Sequence, residues 1–149
     1  MSEIELKPLL APAVADVLEM MFFSEVLGPG EPDSNAIELE AHVAFAGETS
    51  GKVGIRISEP SARCLAASFL GESEDALTGA QIAQVVCELT NMLCGCIVSR
   101  MASRGSFNLD SPEFIRPHNE NSTQISATQQ SFEIEHGTLT VSLSLSASS

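Results

Sequence analysis

The stretch from Thr78 to Gly105 constrains this chain more than any other, because its helical periodicity is long and almost all-round. Thr78 stands three residues before Gln81, the spacing of a capping box. Apolar residues then recur to Met101, and Gly105 is the expected C-cap, with Arg100 and Arg104 in the last turn. A helix of about 25 residues is roughly 38 Å long. At about 100° per residue, Ile82, Val86, Leu89, Leu93 and Ile97 share one face, and Ala83, Cys87, Cys94 and Met101 line a second apolar flank. Between them runs a thin polar line of Gln81, Gln84, Glu88, Asn91, Gly95 and Ser99. Such a helix has to be enclosed by the rest of the chain and is expected to expose only that line.

The remaining sequence supplies what encloses it. Residues 8–27 read as a helix ended by Gly28-Pro29-Gly30. Residues 36–46 alternate, with Ile37, Leu39, Val43 and Phe45 on one side and Glu38, Glu40 and His42 on the other. After a turn at residues 47–51, Val53, Ile55 and Ile57 alternate in the same way, which predicts a hairpin. Ser58 is placed to cap a short helix that starts at Glu59-Pro60 and stops near Gly71. Residues 107–115 predict a short strand broken by Pro112. Residues 123–135 and 138–145 predict a final hairpin around His136-Gly137, with a bulge near Gln129-Gln130 because Ile125 and Ala127 are out of phase with Phe132 and Ile134. The Met20-Met21-Phe22-Phe23 cluster reads as core. The pattern predicts an α+β fold with two layers, an antiparallel sheet carrying long helices on one face. With 149 residues and no low-complexity linker, residues 1–149 form one expected domain.

Charge and composition exclude several roles. Seven basic residues against 20 acidic ones give a net charge of −13, which repels phosphate backbones and anionic lipid, so neither nucleic acid nor a membrane is an expected partner. Trp and Tyr are absent, which weakens a reading based on aromatic base stacking. No secretory leader and no uninterrupted apolar run of about 18 residues is present, and the expected location is cytoplasmic. Cys64, Cys87, Cys94 and Cys96 form no C-x-x-C, so reduced thiols serving as small hydrophobes are expected. His42, His118 and His136 are scattered, and no spacing of His118, Glu120 and the cysteines matches a standard metal site.

The polar line is where chemistry can reside. Asn91 is a mediocre helix former in mid-helix, and Gly95, one turn on, costs up to about 1 kcal/mol against alanine. A glycine there leaves clearance for another surface. The stretch Glu88-Leu89-Thr90-Asn91-Met92-Leu93-Cys94-Gly95, followed by Leu109-Asp110-Ser111-Pro112, resembles the pattern of the CheC–CheX–FliY family of bacterial chemotaxis phosphatases. That pattern is E-x-x-N on a long helix and a proline just over twenty residues later; here Pro112 follows Asn91 by 21 positions. Where the family usually has Asp or Ser four residues before the glutamate, this chain has Gln84. The first helix has Glu19 but Phe22 in place of the asparagine, so the pattern is similar to single-site CheX-like proteins rather than double-site CheC.

The resemblance implies a CheX-like domain over nearly the whole chain. It implies a hydrolase acting on the aspartyl phosphate of response-regulator receivers, with Glu88 and Asn91 catalytic and Gln84, Gly95 and Pro112 at the docking surface. No cofactor or metal is expected on this chain; Mg2+ would be held by the receiver. A homodimer is also implied, and the regular last strand would invite pairing if it lay at a sheet edge. The alternative is a binding module that docks receivers or another signalling partner without hydrolysis, which Gln84 favours. A purely structural role, as in flagellar switch components, ranks last because it leaves the Glu–Asn pair without purpose.

Overall fold

The computed structural model describes residues 3–31, 38–47, 49–101, 107–115 and 128–145, and for residues 3–6 the backbone alone. The two alternating runs pair as expected. Strands β2 (Glu38–Ala46) and β3 (Gly51–Ser58) are antiparallel in unbroken register from Glu38↔Ser58 to Phe45↔Gly51. Ala41, Val43 and Phe45 are buried on the same face as Val53, Ile55 and Ile57, while Lys52 is exposed and His42, Gly54 and Arg56 are half-buried. This period-two split gives the sheet one apolar face and one polar face.

Strand β7 (Gly137–Leu145) pairs with β3, and β6 (Thr128–Ile134) pairs with β7. The antiparallel sheet has seven strands in the order β1-β6-β7-β3-β2-β4, where β1 is Gly28–Pro29 and β4 is Asn108–Leu109. Beside β4, β5 (Glu113–Ile115) also pairs with β2, so two short strands share one edge with Pro112 between them.

Three helices, α1 (Glu3–Met21), α2 (Glu59–Leu70) and α3 (Gly79–Met101), cover the apolar face. Leu10, Val14 and Leu18 of α1, Leu65 of α2 and Ile82, Leu89, Leu93 and Ile97 of α3 join the sheet's buried side chains in one core. The architecture is α+β in two layers. By length and composition α3 is apolar enough to cross a membrane, but its apolar sides are occupied by β2, β3, α1 and α2.

Several local expectations need correction. Helix α1 runs from Glu3 through Pro8 and Pro12 and ends at Met21, short of the Gly-Pro-Gly sequence. Phe23 adopts φ 53°, and the N–H groups of Phe22 and Ser24 both donate to the Leu18 carbonyl, at 3.1 and 3.0 Å. The chain leaves the helix early to bury Phe22 and to reach β6, where the Leu27 and Gly30 N–H groups donate to Glu133 and Ser131. Of the Met20–Phe23 cluster only Phe22 is core; Met20, Met21 and Phe23 are exposed.

Ser58 sits at the N-cap of α2, but its hydroxyl makes no cap bond there; it donates to Ser61 Oγ at 3.0 Å. Gly71 ends α2 in the left-handed region as expected. No bulge interrupts β6 at Gln129-Gln130: pairing with β7 is one-to-one from Thr128↔Leu143 to Ile134↔Gly137. Thr128 takes the core-facing place in phase with Phe132 and Ile134, and Ile125 and Ala127 lie outside the described residues. Strand β7 is internal, paired on both sides, so it offers no edge for a second copy. The expected C-cap at Gly105, like Arg104, His118 and Glu120, lies outside the described residues.

Candidate functional site

The polar line of α3 is set by how the helix starts. The Thr78 N–H donates to Gln81 Oε1 at 2.9 Å and the Gln81 N–H donates to Thr78 Oγ1 at 3.1 Å, the two reciprocal bonds of a capping box. This fixes the first turn and with it the rotation of every later residue. Ile82, Val85, Val86, Leu89, Leu93 and Ile97 are buried, and no member of the line Gln81, Gln84, Glu88, Asn91, Gly95, Ser99 is. Gln84 and Ser99 are exposed, whereas Glu88, Asn91 and Gly95 are half-buried rather than fully open. The flanks account for that: Cys87, Met92 and Cys96 beside the line are themselves partly buried hydrophobics.

Polar residues of α3 divide into two groups. Gln81 caps the helix, Thr90 is fully buried and donates Oγ1 to the Val86 carbonyl at 2.7 Å, and Arg100 hydrogen-bonds Asp16 on α1. Each serves the fold. Among the described residues, none makes a hydrogen bond or ion pair with the side chain of Gln84, Glu88 or Asn91. A carboxylate and a carboxamide on successive turns of one helix face are therefore uncommitted. The negative field of Glu88 is felt locally: the Cys87 thiol is pushed up mainly by burial and secondarily by Glu88.

Gly95 adds an independent observation. A Cβ built there would meet nothing within 4 Å among the described residues, so none of them requires a glycine. The residue lowers helix propensity without relieving a clash with any described residue, which leaves clearance for an approaching surface as its physical rationale.

Pro112 is half-buried in the break between β4 and β5. The Asp110 N–H still donates to the Ala44 carbonyl at 2.9 Å, and pairing with β2 resumes at Glu113. Both short strands pack against α3, so the segment carrying Pro112 lies along the same helix as Glu88 and Asn91. Glu19 on α1 is exposed, but Phe22, just past the helix end, is completely buried and stacks on Phe69 at 5.0 Å between ring centroids. That position presents no polar group, and the described helices carry a Glu-x-x-Asn pair on α3 alone.

All four cysteines are free; Cys94 alone is fully buried, and burial raises its thiol to about 12. His42 is half-buried rather than solvent-facing, 3.9 Å from Glu113, and held below the ordinary imidazole value first by burial and then by Lys52. Glu113 and Glu40 oppose that shift without reversing it, so the His42–Glu113 contact is not an ion pair at neutral pH. One cluster escapes sequence reasoning: Cys64, Glu135 and His136 place their ligand atoms within 4.8 Å of one another. Glu135 is 71 residues from Cys64, so no local spacing announces it.

Compared by sequence with curated proteins, the chain matches none. A family model described as chemotaxis phosphatase CheX matches residues 40–135, well over half of the chain. Among solved structures, the chemotaxis protein CheX of Vibrio vulnificus is similar at 19% identity and a TM-score of 0.77, over 98% of this chain and 99% of that one. CheX in a CheX–CheY–BeF3–Mg+2 complex from Borrelia burgdorferi is similar at 22% identity and a TM-score of 0.75, again over 98% and 99%. CheX of Desulfovibrio desulfuricans gives 23% and 0.73, over 95% of this chain and 99% of that one. At these identities the structural likeness concerns the fold. The family match carries the assignment: this chain belongs to the chemotaxis phosphatase CheX family.

Proposed function

We propose that this protein hydrolyses the aspartyl phosphate of a response-regulator receiver, using Glu88 and Asn91 on α3. The observation that carries the reading is the Glu88–Asn91 pair, uncommitted among the described residues, beside a glycine that none of those residues requires. The Borrelia burgdorferi CheX, seen in complex with CheY, supports a receiver as the partner.

The chemistry asked of these residues is modest. An acyl phosphate already has a good leaving group, and the receiver supplies the Mg2+. What remains is to hold a water in line with phosphorus and keep the two proteins in register. Asn91 is too weak a base to take a proton, but its oxygen accepts and its NH2 donates, which fixes the orientation of a water. Glu88, negatively charged, pairs with a lysine of the receiver and orients it. Gln84 and Pro112 border the contact, and Gly95 lets the receiver backbone approach. No step requires a cofactor on this chain. The free thiols fit the expected cytoplasmic location, and the family resemblance carries the expectation of a homodimer; with β7 internal, the dimer rests on that resemblance alone, and a monomeric mass by light scattering at tens of micromolar would remove it.

The exposed Gln84, where Asp or Ser is usual, favours a second reading in which the protein docks receivers without hydrolysis. Mixing the chain with phosphorylated receivers and following phosphate loss separates the two. Accelerated loss with at least one receiver supports the phosphatase. Binding without acceleration on every receiver that binds replaces it with the docking module.

A further inference from the structure

Away from α3, the turn joining β6 to β7 is fastened onto α2. Ser61 Oγ donates to the Glu135 carbonyl at 2.7 Å, and the Thr138 N–H donates to Ser58 Oγ at 3.3 Å. The fit is close enough that a Cβ on Gly137 would collide with the Ser58 and Ser61 hydroxyls. This fastening brings Cys64, one turn beyond Ser61 on α2, against the turn residues Glu135 and His136. The Cys64 S–H donates to Glu135 Oε2 at 3.4 Å.

We propose that Cys64, Glu135 and His136 form a Zn2+ site that staples α2 to the β6–β7 turn. One thiol, one imidazole and one carboxylate are ligands suited to a borderline-soft divalent ion rather than to Mg2+ or Ca2+. Metal–ligand bonds of about 2.0–2.3 Å put tetrahedral ligand atoms roughly 3.3–3.6 Å apart. The atoms here already lie within 4.8 Å, and Glu135 and His136 are exposed and free to close the difference. On binding, the Cys64 S–H bond breaks, its proton leaves to solvent, and the sulfur lone pair forms the metal bond. Zn2+ thereby takes the place of the proton now shared between sulfur and carboxylate, and water completes the fourth position. The site is independent of the reading given to α3.

The test uses the full chain, stripped with chelator and titrated with Zn2+ and, for spectroscopy, Co2+. One Zn2+ per chain is expected, with a rise in Tm and a sulfur-to-cobalt charge-transfer band. Loss of partners that merely orient ligands weakens metal sites about 10–100-fold, so losing a ligand should cost about 100-fold or more. Cys64→Ser should lose the band and that affinity. His136→Asn should lose the affinity and still fold, because asparagine tolerates the φ of 67° at this position. Cys87→Ser should bind like wild type. Uptake well below one Zn2+ per wild-type chain, or Cys64→Ser and His136→Asn binding as tightly as wild type, overturns the site.

Discussion

Two helices packed against each other, α1 and α3, carry the same opening of a motif and end it differently. Glu19 on α1 is followed three residues later by Phe22, and Glu88 on α3 by Asn91. Phe22 is wholly buried, just past the end of its helix, stacked against Phe69 of α2. Asn91 is half-exposed and has no partner among the described residues. One position closes the core and the other leaves a carboxamide facing outward. The difference shows how two comparable helices come to present one Glu-x-x-Asn pair among the described residues: apolarity at the fourth motif position turns that side chain inward and commits it to packing.

Breaking the α1 side should have the largest effect on stability. Phe22→Ala removes a buried aromatic and is expected to cost about 3–5 kcal/mol, read by urea denaturation. Phe22→Asn should be destabilised similarly and should add no phosphatase turnover, because its carboxamide would face the core.

On α3 the expected effects fall on partners rather than on the fold. Glu88→Ala should change stability little and weaken binding to a phosphorylated receiver by about 2 kcal/mol, measured by calorimetry, as expected when one member of a docked charge pair is truncated. Gly95→Ala should act with opposite signs on the two properties. With no described residue within 4 Å of the new Cβ, it should stabilise the helix by up to about 1 kcal/mol. It should also weaken receiver binding, and Gly95→Leu should weaken it further. A stabilised variant with unchanged binding would mean that the glycine is not there for clearance.

The smallest effect lies outside both helices and gives the pH behaviour of the fold alone. Because the folded protein holds His42 below its ordinary value of 6.5, it binds fewer protons there than the unfolded chain. Stability from this group is full above about pH 6.5 and declines as pH falls through the lower folded value. His42→Gln should flatten that decline in chemical-denaturation curves between pH 7.5 and 5.5 by a fraction of about 1 kcal/mol.

The parts legible in sequence are those governed by a single period. The α3 wheel follows from 3.6-residue spacing plus a capping box that fixes the start, and the alternation in β2, β3 and β7 follows from the pleat. Long-range contacts decide what was not legible. The early end of α1 reflects Phe22 meeting Phe69 and the following segment meeting β6, neither visible locally. Thr128 occupies a core-facing position with a polar side chain, which disguises the phase of β6. The Ser58 hydroxyl has the right residue type and place for a cap, but its oxygen accepts from the Thr138 N–H, 80 residues away, instead of from the start of α2. In the candidate site, the residues and their shared line were readable from the helix alone. Their half-burial was not, since it depends on the partly buried flanks Cys87, Met92 and Cys96.

The proposed division of labour gives Asn91 the positioning of the attacking water and the rest of the line the docking of the receiver. It is tested most directly by measuring phosphate loss and receiver binding side by side for wild type and Asn91→Ala. The variant should keep most of its receiver affinity and fold as stably as wild type, while its turnover falls by about 100-fold or more, the scale of losing a group that orients the reacting species. An Asn91→Ala protein that clears phosphate from the same receiver as fast as wild type would contradict it.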